Sequence, residues 1–292
     1  MQNYEPNQIE NFPSPPIKKD ILPSDLLPVS PNNPPWNSLI ALSVWLASVA
    51  FIVIVPSLLV LPYIFSQSVE FTDRTKLLEM SQTDPTVILI SVLGVIPAHL
   101  LTLALAWLVI TNFRRFSFRE TLGWNWNGFK FWHCLVILGG FYILAGIAAH
   151  YFPEQENDML RILRSSRAAV YVVAFLATFT APVVEEVIYR GVLYSAFQKT
   201  LGVPVGVLLV TVLFALVHVP QYIGTPETIF LICLLSLVLT LVRVYTKNLL
   251  PCIALHMVFN GLQSLLLILE PYLPTNTTNI PEPTALILHF FK

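Results

Sequence analysis

APVVEEVIYRG, residues 181–191, sets two adjacent carboxylates, Glu185 and Glu186, and a guanidinium, Arg190, in a stretch otherwise apolar enough to lie in lipid. A charge in such a place costs roughly 2.5–3.5 kcal/mol on insertion scales, so it needs a partner or a task. Glu186 and Arg190 stand four apart on one helical face and can pair. Glu185 points about 100° away and is left free to act. Pro182, just ahead, removes a backbone hydrogen bond and bends the helix where the charges sit.

Outward from this stretch, the chain is 55% hydrophobic and 11% charged, against about 25% charged in a soluble domain. With a mean hydropathy of +0.69, this is the composition of a membrane protein. A net charge of -1 gives no footing for nucleic acid. Cys134, Cys233 and Cys252 lie in apolar segments, so no disulfide framework is expected.

Apolar segments near 38–64, 86–111, 130–150, 168–187, 203–219, 228–245 and 249–269 approach or exceed the roughly 20 residues that a spanning helix needs. They predict an all-α fold, a polytopic transmembrane helical bundle of about seven to eight spans. The short run Ala285–Phe291 is a partial eighth. Helix four is expected to continue from Arg167 to Lys199. Residues 1–36 hold nine prolines and read as a disordered tail, with no signal-peptide pattern. Residues 37–292 form the bundle, with the catalytic core at about 168–263. Lys and Arg weigh toward the loops on the N-terminal side: Lys18, Lys19, Arg114, Arg115, Arg119, Lys130, Lys199, Arg243 and Lys247. The expectation is an integral multi-pass protein with a cytoplasmic N-terminus, in the plasma membrane if the cell is prokaryotic. Arg243, near the end of helix six, is expected to snorkel to the interface.

Helix five ends LFALVHVP, with Phe214 and His218 four apart. Counted from the turn near Thr200–Pro204, Glu185 and His218 are equally distant, about 25 Å at 1.5 Å per residue. At matching depth, a carboxylate and an imidazole can together polarise a water, with the carboxylate as base. Helix seven carries His256, Asn260 and Gln263 as an i, i+4, i+7 stripe that faces protein or water rather than lipid. His256 and Asn260 are neutral donors suited to a developing oxyanion. His99, alone in its helix, reads as interhelical hydrogen-bond glue.

Glu185-Glu186-x-x-x-Arg190, Phe214-x-x-x-His218 and His256-x-x-x-Asn260, in this order on three separate spans, resemble the motif set of the CPBP family. These are the type II CAAX prenyl proteases and bacteriocin-processing proteins, also called Abi proteins. The resemblance runs from about Ala168 to Gln263. It implies an intramembrane endopeptidase, a hydrolase, in which Glu185 and His218 activate water. His256 and Asn260 would form the oxyanion site, and Glu186 with Arg190 would support the first motif. The implied partners are membrane lipid and a membrane-bound peptide or lipidated, including prenylated, protein. No cofactor is required.

Two alternatives share these residues. Glu185, His218 and His256 are a possible ligand set for zinc, with one open water position, although no HExxH motif is present. A non-catalytic membrane protein, an immunity factor or peptide-binding scaffold, would keep the polar cavity and need no base. Cys252 as a thiolate nucleophile is the weakest option, because structural burial accounts for it.

Overall fold

The computed structural model describes residues 28–70, 72–152, 156–269 and 272. Among them seven helices are long and apolar enough to cross a membrane. In chain order the elements are α1 (Ser38–Ser66), α2 (Arg74–Thr83), α3 (Pro85–Ile110), α4 (Phe118–Leu122), α5 (Phe131–Tyr151), α6 (Asp158–Ser165), α7 (Arg167–Leu201), α8 (Val203–Tyr222), α9 (Pro226–Thr246) and α10 (Leu250–Leu269). The short helices α2, α4 and α6 were not expected from hydropathy, being too short or too polar to span. The partial eighth span at Ala285–Phe291 lies outside the described residues.

Local chemistry sets the helix boundaries. Asn37 caps α1 by accepting from the Ile40 amide at 3.0 Å. Asp84 caps α3 by accepting from Thr86 and Val87, and Pro85 occupies the first turn, where its missing N–H has no intrahelical partner to lose. Gly202, with φ +83°, makes the left-handed turn that reverses the chain between α7 and α8. α1 and α3 approach closely because Gly94 faces Pro56; a Cβ there would stand 2.7 Å from the Pro56 Cα. Small residues at such crossings are how membrane helices pack tightly.

α7 is the central element and is not a regular helix. Wide π-helical turns at Leu176–Thr180 and Val187–Leu193 flank a short α segment, Ala181–Glu186, which holds Pro182 and both glutamates. Pro182, where a bend was expected, stands at the start of this short α segment, directly after the first π turn. Such insertions re-aim the side chains that follow and often mark functional positions.

Two expectations differ from the structure at one end of the bundle. Residues 28–36, expected within the disordered tail, pack against α7 and α9. Trp36 is 4% exposed, and its indole Nε1 donates to the Val192 carbonyl at 3.0 Å. The Pro31 carbonyl accepts from Ser195 Oγ at 2.9 Å and from Arg243 Nη2 at 2.7 Å. Lys199 Nζ reaches the Pro34 carbonyl at 3.1 Å. Arg243 therefore does not snorkel. It is fully buried beneath this strap, with its guanidinium 5.7 Å from the Tyr194 ring centroid. Proline-rich backbone has few donors of its own, and its free carbonyls are natural partners for a buried cation.

Candidate active site

Four elements place the motif residues around one cavity. α7 contributes Glu185, α8 contributes Phe214 and His218, α10 contributes His256 and Asn260, and α9 forms the opposing wall. The cavity holds about 290 Å³ and is walled mostly by apolar side chains such as Val92, Leu176, Leu231 and Phe259. Few polar groups converge in it. That pattern of an apolar pocket with a small set of placed polar groups is typical of ligand and active sites.

The two adjacent glutamates differ as expected. Glu186 and Arg190 form a fully buried ion pair, Nη1 to Oε1 at 2.9 Å, with both side chains 0% exposed. The guanidinium is otherwise satisfied by the Ser236 carbonyl at 2.8 Å, Ser236 Oγ at 2.9 Å and Thr240 Oγ1 at 3.2 Å. A buried guanidinium is tolerable when its hydrogen bonds are met in this way, whereas Glu186 Oε2 has no hydrogen-bond partner among the described residues. Glu185 instead lines the cavity, with its side chain 24% exposed.

The hydrogen bonds also fix the histidines. Glu186 Oε1, already accepting from Arg190, accepts from His256 Nδ1 at 2.8 Å. His256 Nδ1 is thus the protonated nitrogen, and Nε2 is left facing Glu185 Oε2 at 3.8 Å, beyond direct hydrogen-bond reach. This changes the expected role of a neutral His256. Its N–H is spent on Glu186, so in the neutral ring Nε2 accepts rather than donates. His218 Nδ1 donates to the Phe214 carbonyl at 2.7 Å, which leaves its Nε2 as an acceptor too. Asn260 donates from Nδ2 to the Ala177 carbonyl at 2.8 Å and keeps its second amide hydrogen.

Phe214 explains why an aromatic residue precedes His218 by four. Its ring centroid lies 4.8 Å from the Arg190 guanidinium and 4.7 Å from the His218 ring, and Tyr189 packs edge-on at 4.9 Å. Tyr189 in turn accepts from Trp45 Nε1 at 3.1 Å. One ring therefore supports the cation of the first motif and the imidazole of the second.

Sequence reading missed several lining residues. His99 does bridge helices, Nδ1 to Thr180 Oγ1 at 3.0 Å, but it also lines the cavity. Met159 and Ile162 come from α6, which hydropathy alone could not reveal. Gln263, the last member of the α10 stripe, is 4% exposed and lines the cavity, and its Nε2 has no acceptor among the described residues. The stripe itself was the signal that could have found Gln263. Cys252, by contrast, is fully buried, lies outside the cavity lining and faces the Leu239 carbonyl. Among the described residues no group of three or more His, Cys, Asp or Glu side chains is gathered as a metal ion would require.

The fold and cavity define a multi-pass membrane protein with carboxylate and imidazole groups in an intramembrane pocket. Residues 167–262, which carry all three motifs, match the family model described as Rce1-like, type II CAAX prenyl endopeptidase Rce1-like. The match covers about a third of the chain and is a similarity of that segment to a family of membrane peptidases, in agreement with the resemblance read from the motifs. No curated protein and no solved structure matches the chain.

Proposed function

We propose that the protein is an intramembrane endopeptidase that hydrolyses a peptide bond of a membrane-associated substrate, prenylated proteins included, with Glu185 as general base. The observation that supports this most is the convergence of Glu185, His218, His256 and Asn260 on one cavity, beside a separately buried Glu186–Arg190 ion pair. A water held between Glu185 and His218 Nε2 can give a hydrogen bond to each, because both are acceptors. As its oxygen attacks the scissile carbonyl carbon, its proton passes to Glu185. The carbonyl becomes an oxyanion, with Asn260 as the neutral donor beside it. Collapse of this intermediate breaks the C–N bond, and the proton held by Glu185 leaves with the amine. Glu186 and Arg190 act through His256 by fixing its tautomer and orientation, as outer partners of catalytic groups commonly do.

The N-terminus is cytoplasmic in this proposal, and in a prokaryotic cell the membrane is the plasma membrane. Terminal-peptide proteomics of cells carrying wild-type or Glu185→Gln protein tests the activity. Peptide ends present with the wild type and lost with the variant support it, and identical peptide ends sink it. Chelation followed by elemental analysis of active protein separates water activation by Glu185 alone from the zinc alternative. Full activity with no bound ion excludes zinc, and loss of activity restored by zinc alone favours it. A peptide-binding protein without catalysis would keep its function in Glu185→Gln.

A further inference from the structure

The register of α7 leaves one backbone group without a helical partner. In the first π turn, Leu176–Thr180, the chain bonds to the carbonyl five residues back, so that Ala181 donates to Leu176. The next donor in this register would be residue 182, and its acceptor would be the Ala177 carbonyl. Residue 182 is proline, which has no N–H to give. Asn260 Nδ2, from α10, supplies the missing donor at 2.8 Å. An unmet carbonyl would be costly in so apolar an interior.

α10 reaches α7 on both sides of the catalytic segment. His256 and Asn260 lie one turn apart; Nδ1 of His256 donates to Glu186 Oε1 at 2.8 Å, and Asn260 donates to Ala177. These two contacts bracket Ala181–Glu186, the short α segment that carries Glu185. Ser264 adds a longer contact, from Oγ to the Ala174 carbonyl at 3.4 Å. Gly261 permits the close approach, because a Cβ there would stand 3.3 Å from Thr178 Cγ2. Gln263 donates to none of these carbonyls and lines the cavity, where a bound polypeptide can meet its amide.

We infer that Pro182 and the third motif form a positioning device. The missing N–H of Pro182 commits Asn260 to α7, and the paired grip of Asn260 and His256 sets where Glu185 stands relative to His218. One amide hydrogen of Asn260 is held by Ala177, which orients the other for an oxyanion. Pro182 is buried and is not among the residues that line the cavity, so it acts through Glu185 and Asn260 rather than on the substrate. The consequence for catalysis rests on the peptidase reading above, with Glu185 as base; the link between Pro182 and Asn260 does not.

A double-mutant cycle of Pro182→Ala and Asn260→Leu tests the link, with Tm in detergent as the first readout. Pro182→Ala gives the Ala177 carbonyl a helical donor whether the turn stays π, through residue 182, or relaxes to α, through residue 181. Asn260→Leu should therefore lower Tm in the wild-type background and lower it by no more than about half as much beside Pro182→Ala. If Asn260→Leu alone fails to accumulate, recovery of folded protein in the double variant is the same result. Equal losses in both backgrounds, or no accumulation in either, overturn the link. Hydrolysis is the second readout. Pro182→Ala should keep a Tm near that of the wild type, since the added N–H offsets the lost ring contacts. Its kcat should nevertheless fall by about 10–10²-fold with KM little changed, the scale of a misplacement of about 1 Å. A wild-type kcat in Pro182→Ala overturns the positioning role. Wild-type hydrolysis by Glu185→Gln, or no hydrolysis that depends on Glu185, overturns the base reading instead, while the Tm cycle still decides whether Pro182 and Asn260 are coupled.

Discussion

Two neighbouring residues, Glu185 and Glu186, have opposite surroundings, and the same contrast separates the two halves of the bundle. Glu186 points into the packed half, where each buried guanidinium has partners: Arg190 meets Glu186, Ser236 and Thr240, and Arg243 meets Pro31 and Ser195. Glu185 points into the open half, where the nearest cationic candidate is His256 Nε2 at 3.8 Å. Charge inside a membrane protein is therefore used in two ways here. Paired and dry, it fixes the position of α7, α9 and α10; unpaired and reachable, it is available for chemistry.

The largest expected effect comes from breaking the dry pair. Arg190→Met strands a buried carboxylate and should cost about 3–5 kcal/mol of stability, read as a lowered Tm in detergent or failure to accumulate. The double variant Glu186→Gln/Arg190→Met removes both charges and should recover part of that loss while remaining impaired in hydrolysis, because His256 loses its anchor. Equal stability of Arg190→Met and wild type would break the contrast. Arg243→Met comes next. It removes charge-assisted hydrogen bonds of about 1.5–3 kcal/mol and should free the strap, so that limited proteolysis cuts within residues 28–36 faster than in the wild type. Cleavage at an unchanged rate would show that Arg243 does not hold the strap. Gln263→Leu should have the smallest effect, about 0.5–1.5 kcal/mol, seen as a rise in KM of up to about tenfold with kcat little changed. A loss confined to kcat would place Gln263 at the reacting atoms rather than along the bound chain.

Much of the site was legible in the sequence because its residues are unusual for their setting. Glu185, Glu186, Arg190, His218, His256 and Asn260 stand out in apolar helices, and their order on three spans carries the family resemblance. The partition between the two glutamates followed from helical spacing alone. What could not be read depends on long-range partners. Nothing in NNPPW, residues 32–36, signals that a buried Arg243 takes up a carbonyl of the preceding proline, more than 200 residues away, so a proline-rich segment read as disordered and a buried arginine read as snorkelling. α6 is amphipathic and short, and its place over the cavity is set by the α5–α7 connection rather than by its own pattern. The π turns of α7 flank the segment that holds Pro182, and a periodicity of 3.6 does not reveal them. The tautomer of His256 required the distance to Glu186.

The central claim is that Glu185 is catalytic and Glu186 structural, and Glu185→Gln tests it most directly when hydrolysis and thermal stability are measured on the same preparation. Stability should stay within about 0.5 kcal/mol of the wild type, as for a substitution outside the core network. Hydrolysis of the peptide bonds that depend on the wild-type protein should fall by about 10²–10⁴-fold, the contribution of a positioned general base. Hydrolysis at the wild-type rate, or a stability loss as large as that of Arg190→Met, would contradict it.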